Sequence, residues 1–167
     1  MTESSETGVI RLDNTDGFVQ HTVELINQSI RKVTVLTTDL EPEWLGAEPV
    51  VEALRQFAIK NRRSQVRILT TDPTPAVRSN HPWLELIRRL SRVEARVIKS
   101  EILDSEPLKG TFVISDLSGI VYHATDSGAW QGFAHYDDRA TVRQQLDVFE
   151  QYWRYSEESP EFRKLVL

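Results

Sequence analysis

The sequence contains no cysteine among its 167 residues. This absence excludes disulfide bonds, thiol nucleophiles and zinc sites built on thiolates, and it is typical of a reducing compartment. No apolar run approaches the roughly 18 residues that a membrane-spanning helix needs. The polar and acidic start, MTESSETG, does not have the pattern of a signal peptide. We therefore expect a cytoplasmic protein with no membrane partner, in which residues 1–7 form a disordered tail.

The common phosphate-binding and catalytic motifs are also missing. Neither GxxxxGK[ST] nor GxGxxG occurs, and the chain has no GxSxG elbow and no HExxH spacing. The acidic residues Glu101, Asp104 and Glu106 could hold a cation, but we interpret them as a solvated connector. We expect no cofactor and no metal site.

One short motif, LTTD, occurs twice, at the ends of VTVLTTD (33–39) and VRILTTD (66–72). Each copy closes a β-branched run and precedes a proline, so each is predicted to end a buried strand. If the two strands are parallel neighbours, their polar ends lie at one edge of the sheet, where open α/β sheets bind ligands. The predicted ligand rim consists of Thr37, Thr38, Asp39, Thr70, Thr71 and Asp72, with Arg78 and His81 just beyond the second copy.

The alternative interpretation of these residues is structural. Asp72 precedes Pro73 and is well placed to cap a helix, and threonine pairs at strand ends also satisfy free backbone groups. His81, which precedes Pro82, could cap a helix or lie on the surface. The sequence leaves both interpretations open.

Hydrophobic periodicity predicts a mixed α/β sheet in which helices cross between parallel strands and an antiparallel hairpin follows. A chain of this length is enough for one domain. The first predicted elements are an edge strand at 9–12, a helix with Val19, Val23, Ile26 and Ile30 on its apolar face, and the two LTTD strands with a helix over 48–62 between them. A helix starting near Pro82 and a third parallel strand at 93–99 follow. The last predicted elements are a hairpin of 111–115 and 120–123, a glycine and aromatic loop at 128–135, and a helix over 138–156.

This order of elements, over residues 14–156, resembles one half of the phospholipase D fold. The segments LTTDLEPEW, ILTTDPTPAVR and HPWLELIRRL are similar to a divergent bacterial group of phospholipase-D-like domains, some of which are attached to GNAT-type acetyltransferases. The resemblance implies one phospholipase-D-like domain over 8–158, followed by a C-terminal extension at 159–167. Because that fold unites two half-sites and this chain has one, the resemblance also implies a homodimer.

In that superfamily the first strand of the hairpin carries HxKxxxxD, in which the histidine attacks phosphorus and the lysine binds the phosphoryl oxygens. With Asp116 at the aspartate position, Lys109 stands where the histidine belongs and Thr111 stands where the lysine belongs. No other register restores the motif, because no histidine in this chain has a lysine two residues later. The resemblance therefore implies a domain without the family's nucleophile.

Three hypotheses about function follow. The first is a non-catalytic domain that binds a small ligand, with a phosphate-bearing ligand as one version, or a protein partner such as an acetyltransferase, at the predicted rim. The second is an atypical phosphodiesterase or nuclease that uses His81 with Arg78 and Asp72.

The third hypothesis is nucleic-acid binding through the basic middle of the chain. Residues 55–99 carry 11 Lys and Arg against 3 Asp and Glu, within a chain whose net charge is −5. The simpler interpretation is that these arginines lie near helix C-termini and are solvated. We favour that interpretation because basic and aromatic residues are not interleaved.

Overall fold

The computed structural model describes residues 8–125 and 129–163. Within these ranges the chain forms eight strands and seven helices. The strands are β1 (Ile10–Leu12), β2 (Lys32–Thr37), β3 (Gln65–Thr70), β4 (Val93–Ile98), β5 (Gly110–Ser115), β6 (Gly119–Ala124), β7 (Gly132–His135) and β8 (Ser156–Glu157). The helices are α1 (Thr15–Gln28), α2 (Glu48–Lys60), α3 (Thr74–Ser79), α4 (Trp83–Arg89), α5 (Ser100–Ser105), α6 (Arg139–Arg154) and α7 (Pro160–Arg163).

The described strands form one mixed sheet in the order β1-β7-β6-β5-β2-β3-β4-β8. Strands β2, β3 and β4 are parallel, and the β5–β6 hairpin joins β2 in antiparallel fashion. The two LTTD strands are neighbours near the centre of the sheet, and Thr37 is level with Thr70. The predicted fold class is therefore confirmed. We call the end where β2, β3 and β4 finish the carboxyl end of the sheet, and the end where they begin the amino end.

Both faces of the sheet are covered, which explains why the central strands are almost continuously apolar. Along β2, Val33 and Val35 face the core under helices α1 and α2, whereas Leu36 faces the core under α6. The same alternation along β5 sends Val113 to the first core and Phe112 to the second. Side chains at odd positions of β5 therefore lie on the α1 face, which fixes where the residues at the motif positions point.

The segment 128–135 was predicted to be a loop, and this is wrong for its second half. Gly132–His135 forms β7, which pairs with β6 and with β1. A Cβ at Gly132 would lie 1.8 Å from the Tyr122 carbonyl oxygen, so glycine is required for the strands to approach this closely. Gly132 is therefore required by a close contact between two strands, and it does not indicate a turn. Gly128 itself lies outside the described residues.

Three further differences from the predictions have local causes. Helix α4 begins at Trp83, as predicted, but an additional short helix, α3, precedes it and ends at Asn80 in the left-handed conformation with φ 54°. Helix α1 ends at Gln28, so Ile30 lies beyond it and is 68% exposed. The connector that contains Glu101 and Asp104 forms the short helix α5.

Helix α7 packs against the elements that precede it. Phe162 on α7 is buried in the α1-side core, and Arg88 of α4 donates hydrogen bonds to the carbonyl oxygens of Glu161 and Phe162. Residues 1–7 and 164–167 lie outside the described residues, as do 126–128. Among the described residues, no helix combines the length and the apolar character that crossing a bilayer requires.

Candidate functional site at the carboxyl end of the sheet

The structure brings the LTTD residues together, and several of their side chains bond to the backbone. The Thr70 and Thr71 hydroxyls donate to the Thr38 carbonyl oxygen at 2.6 and 3.0 Å. The backbone N–H groups of Thr71 and Asp72 donate to the same oxygen. Asp72 accepts a hydrogen bond from the Thr74 N–H, which starts α3. Thr70, Thr71 and Asp72 therefore hold the two strand ends together.

His81 is placed in the interior, and both of its ring nitrogens have partners. The Trp83 N–H donates to Nδ1 at 3.1 Å, so Nδ1 is the acceptor and Nε2 donates to the Leu40 carbonyl oxygen at 2.8 Å. Burial lowers the pKa of His81, which keeps this bonding pattern at neutral pH. The exposed Arg78 lies nearby in a cavity of about 550 Å³ shared with Arg88. The arrangement favours a capping role for His81.

The residues at the degenerate motif positions lie in three different settings. Asp116 is at the amino end, where its carboxylate accepts hydrogen bonds from the backbone N–H groups of residues 30, 31 and 32 at 2.8–2.9 Å. Lys109 is exposed and lines a cavity of about 480 Å³ beside α6. Thr111 is fully buried, and its position in β5 places it on the α1 face, at the carboxyl end. Of the three, Thr111 joins the cluster described next.

The acidic member of this cluster is Glu41, which was not among the predicted site residues. Leu40 adopts the left-handed conformation with φ 63°, which turns the chain back over the end of β2. The turn is held by the Thr37 hydroxyl, which accepts the Leu40 N–H and donates to Glu41 Oε1, both at 3.0 Å. A buried threonine at the end of the strand therefore fixes the carboxyl group of Glu41.

The second missed member, His123, lies on β6 directly across from Thr111 of β5. Its Nε2 lies 3.2 Å from the Ala129 carbonyl oxygen, which can only accept, so Nε2 carries the proton. Its Nδ1 is then an acceptor, and it lies 3.7 Å from Glu41 Oε2. Both His123 Nδ1 and Thr111 Oγ1 are buried without a hydrogen bond to any described residue. Among the described residues, no hydrogen bond therefore links His123 Nδ1 to the Glu41 carboxyl group that it faces.

The electrostatics of this pair follow from burial. Burial raises the pKa of Glu41, the hydroxyls of Thr37 and Thr111 oppose this effect, and Asp39 adds to it. Thr111 is close enough to lower the pKa of the carboxyl group but falls short of hydrogen-bond geometry. Burial likewise lowers the pKa of His123. Both effects disfavour the charged forms, so burial weakens a salt bridge between Glu41 and His123.

Aromatic rings surround the pair. The His123 ring has its centroid 4.9 Å from that of Trp130 and 5.2 Å from that of Phe18, and Trp44 lies 6.1 Å away. Phe18 and Trp44 are fully buried, and Trp130 is half-buried. The side chains of His123 and Glu41 are 13% and 19% exposed, so the pair is not completely buried. We call Thr37, Glu41, Thr111, His123 and Trp130 the carboxyl-end cluster.

A signal for the cluster was present in the sequence. The hairpin loop after Asp116 fixes the register of the two strands, and that register puts His123 opposite Thr111. Glu41 carried no such signal, because its position depends on the left-handed turn at Leu40, a conformation uncommon for a side chain of this size. Among the described residues, no group of three or more His, Asp or Glu side chains is arranged to hold a metal ion.

Residues 14–165 match the family described as Domain of unknown function (DUF7931). No curated protein matches the sequence. Among solved structures, the fold is similar to Nuc from Salmonella typhimurium, a phospholipase D family member, with a TM-score of 0.62, 12% identity, and coverage of 90% of this chain and 97% of that one. It is also similar to NucT from Helicobacter pylori, with a TM-score of 0.59, 11% identity, and coverage of 87% and 92%.

A third similar structure is that of TrmBL2, an archaeal chromatin protein that shows a novel mode of DNA binding. The TM-score is 0.64 at 14% identity, and the match covers 94% of this chain but only 56% of that one. At these identities the likeness shows the fold alone. This chain therefore has a phospholipase-D-like fold, as the resemblance in its sequence implied.

Proposed function

Because this chain belongs to the family described as Domain of unknown function (DUF7931), we propose a function from the chemistry of its own site. The domain is a phospholipase-D-like binding module that does not use a phosphohistidine. Its carboxyl-end cluster binds a ligand that carries a protonated amine or a guanidinium group. The ligand is a small molecule or a side chain of a protein partner.

The observation that carries this proposal is the pair of facing acceptors. Glu41 Oε2 and His123 Nδ1 are 3.7 Å apart and partly buried, and the Thr111 hydroxyl beside them makes no hydrogen bond to a described residue. Buried polar groups in folded proteins nearly always have partners. A ligand N–H group would supply the missing donor, and the half-buried Trp130 ring offers a face on which a cation can lie.

The charge of the two loops beside the carboxyl-end cluster supports a cationic ligand over a phosphate-bearing one. The loops that leave β2 and β3, residues 38–47 and 71–73, contain four carboxylates and no Lys or Arg: Asp39, Glu41, Glu43 and Asp72. An anionic ligand would meet repulsion from these groups. The phosphate-bearing version of the first hypothesis is therefore the weaker one.

The enzyme hypothesis based on His81 has less support than binding. A general base needs a free lone pair near the substrate, whereas the Nδ1 lone pair of His81 accepts the Trp83 N–H and the ring is buried. A phosphodiesterase assay that compares wild type with His81→Ala decides this point. Turnover that disappears in the variant, while its fold is intact, would restore the enzyme hypothesis.

The test of the binding proposal is an NMR titration of the tryptophan indole N–H signals with butylammonium, methylguanidinium and inorganic phosphate. We expect the two cations to shift the Trp130 signal and phosphate to leave it unchanged. Glu41→Gln should weaken cation binding by about tenfold or more, since a hydrogen bond to a charged group contributes roughly 1.5–3 kcal/mol. The matched control is Glu48→Gln, which removes one exposed carboxylate at the same end. A Trp130 response to phosphate alone would contradict the proposal.

A homodimer remains a proposal supported by the two half-sites of the phospholipase D fold. Sedimentation at high micromolar concentration should give about twice the chain mass of 19.2 kDa. A monomer under these conditions would exclude the dimer and leave the binding proposal standing. Association with an acetyltransferase also remains a proposal, and co-purification of the two proteins tests it.

A further inference from the structure

The amino end of the sheet carries most of the exposed aliphatic surface. The strongly exposed large apolar side chains of the described residues are Ile30, Leu117, Ile59 and Tyr155, at 68%, 60%, 55% and 47%. Ile30 and Leu117 line one shallow recess together with Arg31, Lys32 and Arg139. Ile59 lies in the last turn of α2, which ends at the same end of the sheet. We call Ile30, Arg31, Lys32, Leu117 and Arg139 the amino-end patch.

The cations of the amino-end patch are unpaired within the described ranges. Arg31, Lys32 and Arg139 are exposed, and none forms an ion pair with another described residue. Arg62 and Arg63 extend the same charge, because the Gln65 N–H just after them donates to the Arg31 carbonyl oxygen at 2.9 Å. Positive charge and projecting aliphatic groups therefore occupy one surface.

The carboxylates at this end do not cancel that charge. Asp116 is turned toward backbone N–H groups, and Asp138 accepts from the Thr141 N–H and hydroxyl at the start of α6. Asp137 is exposed and is the remaining acidic side chain of the connection from β7 to α6. With Arg62 and Arg63 included, the cations at this end outnumber these three carboxylates by five to three.

Asp116 also fixes the shape of the patch. Its carboxylate binds the N–H groups of Ile30, Arg31 and Lys32, so the turn before β2 is tied to the hairpin loop that holds Leu117. A second link joins the same two segments, since the Ser29 hydroxyl donates to Ser115 Oγ at 2.6 Å. The segments that carry Ile30 and Leu117 are therefore held in place by hydrogen bonds. Less conformational entropy is lost when they dock.

We infer that the amino-end patch docks on the surface of a bilayer that contains anionic phospholipids. Ile30 and Leu117 enter the interface between headgroups and acyl chains, and the lysine and arginine side chains contact the lipid phosphates. Such peripheral contact needs no spanning segment. It is independent of the ligand proposed for the carboxyl end, which lies at the opposite end of the sheet.

The aliphatic groups favour a bilayer over nucleic acid. Binding to nucleic acid depends on cations and, for single strands, on aromatic rings that stack with bases. The patch contains no aromatic side chain. Exposed isoleucine and leucine gain free energy when they leave water for an apolar phase, which a bilayer offers and a phosphate backbone does not.

The test is co-sedimentation of the whole chain with phosphatidylcholine vesicles in which about 30% of the lipid is phosphatidylserine, and with vesicles of pure phosphatidylcholine. Binding of the chain to a DNA duplex is measured for comparison. We expect binding to the anionic vesicles only. Neutralising one cation, as in Arg31→Gln, should weaken binding by about fivefold, since each basic residue near an anionic surface contributes roughly 1 kcal/mol. The double variant Ile30→Gln, Leu117→Gln should weaken it by about tenfold or more.

The controls are Lys99→Gln and Tyr155→Gln, which remove an exposed cation and an exposed apolar side chain away from the patch. All substituted side chains are exposed, so each variant should unfold at the wild-type temperature, and a thermal scan checks this. Equal binding to neutral and anionic vesicles, absence of binding to both, or DNA binding that ignores the double variant would each overturn the inference.

Discussion

Two carboxylates, one at each end of the sheet, show opposite relations to their surroundings. Asp116 at the amino end accepts hydrogen bonds from three backbone N–H groups. Glu41 at the carboxyl end accepts one hydroxyl hydrogen bond and faces the lone pair of an imidazole. A carboxylate whose oxygens are satisfied by backbone donors stabilises the fold, whereas one held beside an acceptor is available to a ligand.

The residues at the phospholipase D motif positions also lie at these two ends of the sheet, and their contacts differ from the roles that the resemblance implies. Asp116 is the one residue that matches the family motif, and its contacts are structural. The residue at the lysine position, Thr111, lies in the cluster with Glu41 and His123, where its hydroxyl is buried without a partner among the described residues. The position that the motif assigns to the phosphate-binding lysine lies beside Glu41 in this chain, so the ligand that we propose has the opposite charge.

The largest change in stability is expected for Asp116→Ala, which removes the carboxylate that holds the amino end together. The variant loses three hydrogen bonds to a charged acceptor and places alanine at a φ of 51°. We expect the free energy of unfolding to fall by roughly 3 kcal/mol, or the melting temperature by about 6–12 °C. Urea and thermal unfolding measure this change.

The matched control for that variant is Asp116→Asn. Asparagine tolerates the left-handed conformation, and its amide oxygen can keep the two donors that bond to Oδ1, the Arg31 and Lys32 N–H groups. It should lose about half as much stability as the alanine variant. Wild-type stability in both variants would refute the structural role of Asp116.

Glu41→Gln should raise the free energy of unfolding, whereas Asp116→Ala lowers it. The neutral amide avoids the cost of burying a charge, and its NH₂ group can donate to His123 Nδ1. We expect the free energy of unfolding at pH 7 to rise by about 1 kcal/mol while cation binding weakens by about tenfold or more. A variant that both unfolds more easily and binds cations normally would contradict the account of Glu41.

The gain from Glu41→Gln should also depend on pH. Because burial raises the pKa of Glu41 in the folded state above its ordinary value of 4.5, the protonated form is favoured by folding. The stabilisation that the protonated Glu41 carboxyl group contributes is complete below pH 4.5 and is lost as the pH rises through the pKa of Glu41 in the folded state. The difference in stability between Glu41→Gln and wild type should therefore grow as the pH rises from 4 to 7. A difference that does not change with pH would contradict the raised pKa.

Thr111→Val should have the smallest effect on stability. The substitution keeps the shape of the side chain and removes a buried hydroxyl that has no hydrogen bond to a described residue. We expect a gain of about 0.5 kcal/mol and a weaker response to butylammonium. Thr37→Val is the comparison, because the Thr37 hydroxyl has two partners and its loss should destabilise the protein by about 1 kcal/mol or more. Equal effects at the two positions would remove the distinction between them.

The sequence predicted the central strands well because their signals are local. The β-branched LTTD runs, the crossover helix α2 and the hairpin loop after Asp116 each follow from a few neighbouring residues. Strand β7 was missed because Gly132 serves a close approach to Tyr122, a contact between strands that no local pattern reveals. Glu41 was missed for the same kind of reason, since its position depends on the left-handed turn at Leu40, whereas the hairpin loop after Asp116 already indicated the register that places His123 opposite Thr111.

The most direct test of the central claim is the ¹⁵N NMR signal of the His123 imidazole at pH 7, with and without methylguanidinium. We predict that Nδ1 is unprotonated in the free protein and that its signal moves toward the hydrogen-bonded value when the cation is added, while inorganic phosphate has no effect. A protonated Nδ1 already paired with Glu41 in the free protein, or a response to phosphate alone, would contradict the claim that the carboxyl end is a site for cations.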